Sequence, residues 1–338
     1  MENDMNRPVL SFHNLTIGYG KGPKQKVVAK ELIGSLKRGV LTSIIGSNGT
    51  GKSTLLRTLA GFQTLLDGEV FYGMTPISEI SNADLSKKVS VVLTDRIEVP
   101  NATVFEIASL GRSPYNGRWN RLDEHDYNLI IEALDQCGIL HKKEDLLSSL
   151  SDGERQKVFI AKALIQQTDI IILDEPAAFL DFTARIEVMK LLRDIAKSRN
   201  ISILLSSHDL DLALQLSDNI WLFYPHGPLV EGIPEDLLFK GCFNDILKSD
   251  HLKYNQVRAR YEVYYETFQK LRVRCTREMY SLLSSAFKRE NIEVVLVEEI
   301  TNDGVIWEQG LFSFVKQNQT VFQCETIAEI VHYTKRNQ

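Results

Sequence analysis

The clearest chemical signal in the sequence is a glycine-rich segment with the spacing G-x-x-x-x-G-K-S. Such a loop turns backbone N–H groups toward an anion, and the helix after it adds its positive end. We expect Lys52 to reach the β- and γ-phosphates of a nucleotide, and the Ser53 hydroxyl to bind Mg²⁺. The alternative, a chance glycine-rich turn, is disfavoured by its place between a predicted strand and a predicted helix. The predicted nucleotide-binding residues here are Gly46, Ser47, Asn48, Gly49, Thr50, Gly51, Lys52, Ser53 and Thr54.

Two adjacent acids, Asp174 and Glu175, follow the apolar run Ile170–Leu173. Burying two neighbouring carboxylates is costly, and a metal ion beside them removes the objection. Asp174 is therefore predicted to hold Mg²⁺, directly or through water. Glu175 is predicted to orient or deprotonate an attacking water near the γ-phosphate. The competing interpretation is a solvated acidic loop after a strand.

Three further motifs follow in a fixed order. Residues 150–156 read LSDGERQ, residues 176–181 read PAAFLD, and residues 206–209 read SSHD. Together with the phosphate loop and the paired acids, this order resembles the ATPases of the ABC transporter family. The resemblance covers residues of about 8 to 240. It implies an ATPase that binds ATP with Mg²⁺ and closes on ATP as a dimer.

The resemblance also assigns roles to residues outside the phosphate loop. Ser151 and Gly153 would contact the γ-phosphate of ATP held by the partner subunit, and His208 would contact the γ-phosphate as a switch histidine. Tyr19, 27 residues before Gly46, would stack on adenine. Asp181 would carry information across the dimer.

Four of these five residues also have a structural interpretation. Ser151 with Glu154 fits a capping box, which is compatible with the phosphate role. Tyr19 could be a packed strand residue, His208 a structural histidine, and Asp181 an ordinary helix N-cap.

Two positions depart from the family pattern. Asp152 replaces the first glycine of the usual signature, and its charge is expected to weaken ATP-driven closure only somewhat. Thr94 occupies the place of a glutamine that binds Mg²⁺ and senses the membrane subunit. Thr94 is predicted to take the metal position, with Asp95 as the alternative, and either substitution puts the usual coupling in doubt.

The start of the predicted helical insertion favours one subfamily. Thr103 and Val104, followed by GRSPY at residues 111–115, resemble importers of iron–siderophore complexes, haem and cobalamin. The resemblance implies a homodimer on the cytoplasmic face of the plasma membrane, bound to permease subunits and served indirectly by a substrate-binding protein. Two alternatives stay open: a soluble ABC ATPase of the cofactor-assembly type, and an exporter subunit.

The alternation of strands and helices predicts an α/β fold with a mainly parallel sheet. We expect residues 1–253 to form a P-loop NTPase core that includes a β-rich N-terminal subdomain. Within this range, a helical insertion is expected at about residues 100–165. Strands are predicted at residues 10–19, 40–45, 68–72, 88–93, 170–173 and 201–206. The helices flanking the motifs are predicted from residue 53 and at 182–197.

Residues 254–338 are predicted to form a small α+β extension that contains a βαβ unit and is regulatory or dimerising. Its predicted elements are a strand at 268–275, a helix at 276–290, a strand at 292–297, two short strands within 305–323 and a helix at 326–335.

Composition narrows the functional classes. A net charge of −5 in 338 residues disfavours a nucleic-acid partner, because phosphate backbones require a basic surface. The four cysteines (Cys137, Cys242, Cys275, Cys324) have no metal-binding or disulfide spacing. No secretory signal is visible, and no apolar run approaches the ~20 residues that span a bilayer. Any membrane component is therefore expected to be a separate chain.

Overall fold

The computed structural model describes residues 7–20, 22–93, 99, 101–116, 121–224, 227–245, 252–255, 260–263, 265–301 and 303–337. The chain forms two compact units, Met1–Leu247 and Lys248–Gln338, against the predicted division at 253/254. Within the described ranges, no helix is both long and apolar enough to cross a membrane.

The strands described in the first unit form two sheets. They are β1 (Leu10–Tyr19), β2 (Lys26–Leu36), β3 (Leu41–Ile45), β4 (Asp67–Tyr72), β5 (Thr75–Pro76), β6 (Val89–Val92), β7 (Ile170–Leu173), β8 (Ser202–Ser206), β9 (Asn219–Phe223) and β10 (Leu229–Gly232). Strands β2-β1-β4-β5 make an antiparallel sheet, and β10-β9-β3-β8-β7-β6 make the second.

The second sheet is parallel from β9 through β6, and only β10 is antiparallel. Its central strands are buried on both faces, as their continuous apolar runs predict; all four residues of β7 are at most 1% exposed. In the antiparallel sheet, β1 buries Leu10, Phe12, Leu15 and Ile17 completely. The predicted α/β class, with a β-rich subdomain beside a parallel core, is confirmed.

Helices connect these strands and build the insertion. They are α1 (Lys52–Leu59), α2 (Asn82–Leu85), α3 (Val104–Ser109), α4 (Ser113–Asn116), α5 (Glu124–Gln136), α6 (Asp152–Ile165), α7 (Phe182–Arg199), α8 (Leu210–Leu216) and α9 (Pro234–Phe239). Helices α3, α5 and α6 share one apolar core with the sheet. Each begins with a capping box, at Thr103, Asp123 and Ser151 respectively, so the sequence fixes where each helix starts.

The GRSPY segment fastens the insertion to the far end of α6. A Cβ on Gly111 would lie 2.4 Å from the Lys162 carbonyl oxygen, so this close approach requires glycine. Arg112 is 6% exposed, and its Nη1 donates to the Ile165 carbonyl oxygen at 3.3 Å. The segment that suggested a subfamily thus has a structural role at the carboxyl end of α6.

A buried ion pair completes this fastening. The Nε of Arg112 donates to Asp126 Oδ1 at 2.7 Å, and Asn116 donates to the other oxygen at 2.7 Å. Burial raises the pKa of Asp126, but the bonds from Asn116, Arg112 and the Asp123 backbone outweigh it, and the net shift is downward. Breaking such a pair strands a buried charge, which costs about 3–5 kcal/mol.

The second unit is built on a five-stranded sheet in the order β14-β13-β15-β16-β17. Its elements are β11 (Leu252–Asn255), β12 (Arg260–Val263), β13 (Gln269–Arg274), α10 (Arg277–Lys288), β14 (Ile292–Leu296), β15 (Gly304–Glu308), β16 (Leu311–Lys316), β17 (Gln319–Cys324) and α11 (Ile327–Asn337). Strands β13 and β14 are parallel and joined by α10, which gives a βαβ unit as predicted.

One prediction for this unit is wrong: residues 304–324 hold three strands, not two. The turns Gln309-Gly310 and Gln317-Asn318 join them, and all four residues have positive φ between 49° and 86°. Two consecutive positive φ values define the tight hairpin turn that matches strand twist. Glutamine at the first position of such a turn is a weak turn signal, so neither hairpin was predicted from the sequence.

Candidate nucleotide-binding site

The phosphate loop runs from the end of β3 to the start of α1, as the sequence predicts. Its backbone approaches neighbouring strands too closely for side chains at two glycines. A Cβ on Gly46 would lie 2.5 Å from the Phe223 carbonyl oxygen, and one on Gly51 would lie 2.4 Å from Val28 Cγ1. Gly51 also has a φ of 106°, which side chains rarely adopt.

Lys52 lies at the centre of this loop. Its ammonium donates to the carbonyl oxygens of Gly46 at 2.8 Å and Ser47 at 3.1 Å, and the residue is only 6% exposed. Burial lowers the pKa of Lys52, while Glu175 and Asp174 act in the opposite direction. The loop therefore holds a buried cation facing two carboxylates, an arrangement suited to a polyphosphate with a metal.

Asp174 accepts hydrogen bonds from two hydroxyl groups, one in the first turn of α1 and one at the end of β8. Its Oδ1 accepts from Ser53 at 3.1 Å and from Ser206 at 2.7 Å, and the residue is 7% exposed. The Ser206 oxygen also accepts the backbone N–H of Glu175 at 2.9 Å. Sequence reasoning missed Ser206. A serine ending the apolar strand beside β7 was the available signal.

Glu175 adopts a strained backbone conformation, with a φ of 49°. A residue held there costs of order 1–3 kcal/mol and persists only where its surroundings impose it. Here the Ser206 bond fixes its amide, and the Nε2 of His208 lies 2.6 Å from its Oε1. The structure therefore brings the two predicted catalytic residues into hydrogen-bond contact.

Tyr19 also lines the pocket that contains Glu175 and His208. Its hydroxyl is 2.7 Å from that of Thr54, and the residue remains 44% exposed. The pocket measures about 720 Å³. Residues that line it are Tyr19, Lys26, Val27, Val28, Asn48, Gly49, Gly51, Lys52, Ser53, Thr54, Glu175 and His208. Most of the predicted nucleotide-binding residues thus share one cavity.

The donor set fits Mg²⁺ bound together with phosphates. Ser53 and Asp174 present hard oxygen atoms within 3.1 Å of each other. No cluster of three or more His, Cys, Asp or Glu side chains suited to a metal occurs in the described part of the chain. Mg²⁺ typically takes one or two protein ligands plus substrate phosphates and water, and Ser53 and Asp174 can supply two oxygen ligands. The predicted third ligand, Thr94, and its alternative Asp95 lie outside the described residues.

The predicted residues Gly46, Ser47, Thr50 and Asp174 lie in or beside the phosphate loop without lining this pocket, and Ser151, Gly153 and Asp181 do not line it either. Ser151 caps α6, and Asp181 caps α7 by accepting the Ala184 amide at 2.8 Å. A Cβ on Gly153 would lie 3.2 Å from that of Ala184, so the starts of α6 and α7 are adjacent. Both predicted capping roles are observed. We call residues 151–155 the signature tip.

An ion pair that the sequence did not reveal supports the signature tip. Lys142, in the turn Leu140–Lys142, places its Nζ 2.6 Å from Glu154 Oε1. The bond from Lys142, followed by those from Ser151, lowers the pKa of Glu154 to about 2. No motif pairs residues 12 positions apart across a loop, so only the fold shows this contact.

The parallel sheet, the phosphate loop between β3 and α1, and the acids after β7 define a P-loop nucleotide-binding ATPase. The family model described as ABC transporter matches residues 29–178. The chain is 36% identical to an ABC transporter ATP-binding protein of Methanocaldococcus jannaschii over 255 residues, 75% of this chain and 87% of that protein. The chain belongs to the ABC transporter ATP-binding protein family, whose members couple ATP hydrolysis to transport.

Siderophore-import proteins are among the similar relatives. The iron(3+)-hydroxamate import ATP-binding protein of Bacillus subtilis is 36% identical over 62% of this chain and 76% of its own length. The ferric enterobactin transport ATP-binding protein of Escherichia coli is 30% identical over 68% and 83%. The predicted resemblance to that subfamily is confirmed.

Solved structures agree on the fold. One is a putative metal-chelate type ABC transporter in an inward-facing conformation, with a TM-score of 0.62 at 24% identity over 77% of this chain and 96% of that chain. Another is cbiO1 from Clostridium perfringens, part of an ABC transporter complex, with a TM-score of 0.62 at 27% identity over 72% and 96%.

Proposed function

We propose that the chain is the ATP-hydrolysing subunit of an importer for metal chelates of the iron–siderophore, haem or cobalamin kind. It works as a homodimer on the cytoplasmic face of the plasma membrane. The observation that carries the proposal is one pocket holding Lys52, Ser53, Glu175 and His208, in a chain whose relatives include siderophore-import ATP-binding proteins.

The predicted site residues in and beside the pocket divide the work of hydrolysis among them. Backbone N–H groups of the loop and Lys52 neutralise the β- and γ-phosphates, and Tyr19 stacks on adenine. Ser53 and Asp174 would hold Mg²⁺, which would offset charge on the phosphate oxygens. Glu175 orients the attacking water and accepts its proton, and His208 keeps the Glu175 carboxylate in place while facing the γ-phosphate.

Dimer closure explains the residues that lie outside the pocket. Ser151 and Gly153 of one protomer contact the γ-phosphate bound by the other, and Asp181 lies beside them at the start of α7. ATP drives closure because the closed form binds ATP more tightly than ADP, and hydrolysis reopens the dimer. One cassette per chain makes a two-fold symmetric pair the simplest working unit.

Transport requires a permease, and the imported chelate is selected elsewhere. The helical insertion contacts the permease and moves with it, while a substrate-binding protein delivers the chelate from outside. The siderophore-import relatives and the GRSPY segment support this class of cargo over an exporter or a soluble cofactor-assembly ATPase. Residues 254–338 act as a regulatory or dimerising extension.

Co-purification and reconstitution test the proposal. An affinity-tagged chain, extracted from its own membranes in mild detergent, should retain a polytopic membrane protein. That complex, placed in liposomes, should take up an iron-loaded hydroxamate, an iron-loaded catecholate, haemin or cobalamin when ATP and the binding protein are supplied. The Glu175→Gln complex is the matched control and should take up none.

Two outcomes would contradict the proposal. Recovery of the chain with soluble partners alone would support the cofactor-assembly alternative. A complex that uses ATP only to move solutes away from the side that carries the ATPase would identify an exporter.

A further inference from the structure

The signature tip carries two carboxylates where a polyphosphate is proposed to dock. Asp152 and Glu154 both lie in the first turn of α6. Two cations stand beside them: Lys142 Nζ lies 2.6 Å from Glu154, and Arg155 Nη1 lies 3.9 Å from Asp152. Of these two ion pairs, only the one between Lys142 and Glu154 is short enough for a hydrogen bond. Lys142 also comes from a different segment of the chain.

The hydroxyl proton of Ser151 is already committed in this structure. Ser151 Oγ donates to Glu154 Oε2 at 2.9 Å and accepts the Glu154 amide at 3.3 Å. A serine hydroxyl has one proton to give. To donate to a phosphate oxygen, Ser151 must turn that proton away from the Glu154 carboxylate. The acceptor strength of Glu154 therefore opposes docking of the γ-phosphate.

We propose that Lys142 is a positioning residue for ATP-driven closure. By pairing with Glu154, Lys142 frees the Ser151 hydroxyl to bind the ATP that the partner subunit holds. The inference rests on the proposed ATP sandwich and adds the residue that makes an acidic signature compatible with it. Lys142 engages Glu154 Oε1, while Ser151 uses Oε2. A carboxylate paired with an ammonium holds a second donor less strongly and repels phosphate less.

Removing the Lys142 ammonium has two consequences, and both oppose dimer closure. Glu154 becomes a stronger acceptor for the Ser151 proton, and its full negative charge faces the incoming triphosphate. Helix capping alone predicts neither effect, because the Ser151–Glu154 bonds of the capping box do not involve Lys142. Measuring ATP-driven dimer closure therefore distinguishes a positioning role of Lys142 from a role in helix stability alone.

The test uses full-length chain in a Glu175→Gln background, which traps the closed dimer. Dimer formation is followed by analytical ultracentrifugation across an ATP–Mg²⁺ titration. Lys142→Met should raise the ATP concentration for half-maximal dimerisation about three- to tenfold. Binding of a fluorescent ADP analogue to the single chain should not change. Adding Glu154→Gln to Lys142→Met should restore closure, and Lys142→Arg should preserve it.

Lys143→Met is the matched control, since Lys143 lies next in the chain and pairs with Glu144 at 3.8 Å. It should close at the unaltered ATP concentration. Unchanged closure in Lys142→Met, or failure of Glu154→Gln to restore it, would overturn the inference while leaving the ATP sandwich intact. A Glu175→Gln chain that stays monomeric in ATP would instead remove the proposed function and this inference with it.

Discussion

The phosphate loop and the signature tip, which are both proposed to contact ATP, differ in their charge. The loop offers a buried lysine, flanked by its own carbonyl oxygens, and backbone that only glycine can follow at Gly46 and Gly51. The signature tip offers a helix start with two acids in its first turn, one paired with Lys142 from another segment and the other beside Arg155 of the tip itself. In the proposed ATP sandwich, we therefore expect the loop to supply most of the affinity for the nucleotide and the tip to add only a modest attraction.

The difference suggests why such a machine reopens. A tip with strong anion affinity would hold ATP and its products alike, and the dimer would close without release. A nearly neutral tip makes closure sensitive to the state of the γ-phosphate. Substitutions on the two surfaces should therefore separate nucleotide binding, closure and hydrolysis.

The largest effect is expected at Glu175. Glu175→Gln should lower ATP hydrolysis by about 10²–10⁴-fold, because water loses its base, while ATP binding remains. Phosphate release and nucleotide affinity are measured side by side. The variant should also form an ATP-dependent dimer in sedimentation. Hydrolysis within tenfold of the unaltered chain would show that Glu175 is not the base.

A smaller effect is expected at Lys52, on the same surface. Lys52→Ala should weaken ADP binding to the single chain by about 10- to 100-fold, the loss of a charge-assisted contact to phosphate. Calorimetric titration gives the affinity, and Lys143→Met serves as the control for a lost surface lysine. If both variants bound ADP equally, the contrast between the loop and the tip would disappear.

The smallest effect is expected at Asp152, on the signature tip. In a Glu175→Gln background, Asp152→Gly should lower the ATP concentration for dimerisation by about two- to fivefold, because an exposed charge contributes little. Single-chain nucleotide affinity should stay constant. Weaker closure would mean that the carboxylate of Asp152 attracts something at the interface, contrary to the electrostatic account.

Sequence reasoning succeeded where chemistry is carried by consecutive residues. The phosphate loop, the acids after β7 and the capped start of α6 are local patterns, and the structure places them as expected. It failed where function comes from contacts between distant segments. Ser206 reaches Asp174 only because β8 lies beside β7, and Lys142 reaches Glu154 only through the turn before α6.

The second unit shows the same limit of prediction from sequence. Its βαβ unit followed from hydrophobic periodicity, but its two tight hairpins depend on positive φ values at Gln309 and Gln317, which side-chain type indicates poorly. Its apolar core is complete in itself, with residues such as Phe287 and Val305 fully buried. No motif in it names a chemistry, so its elements could be predicted and its task could not.

The Arg112 fastening gives α6 a mechanical property. At 1.5 Å per residue, its 14 residues span about 21 Å. One end bears Ser151, and the other is tied through the Ile165 carbonyl to a guanidinium that also grips Asp126 on α5. One buried guanidinium thus links the carboxyl end of α6 to α5. We expect a rotation of α6 to displace α5 as well, because the two helices share this contact.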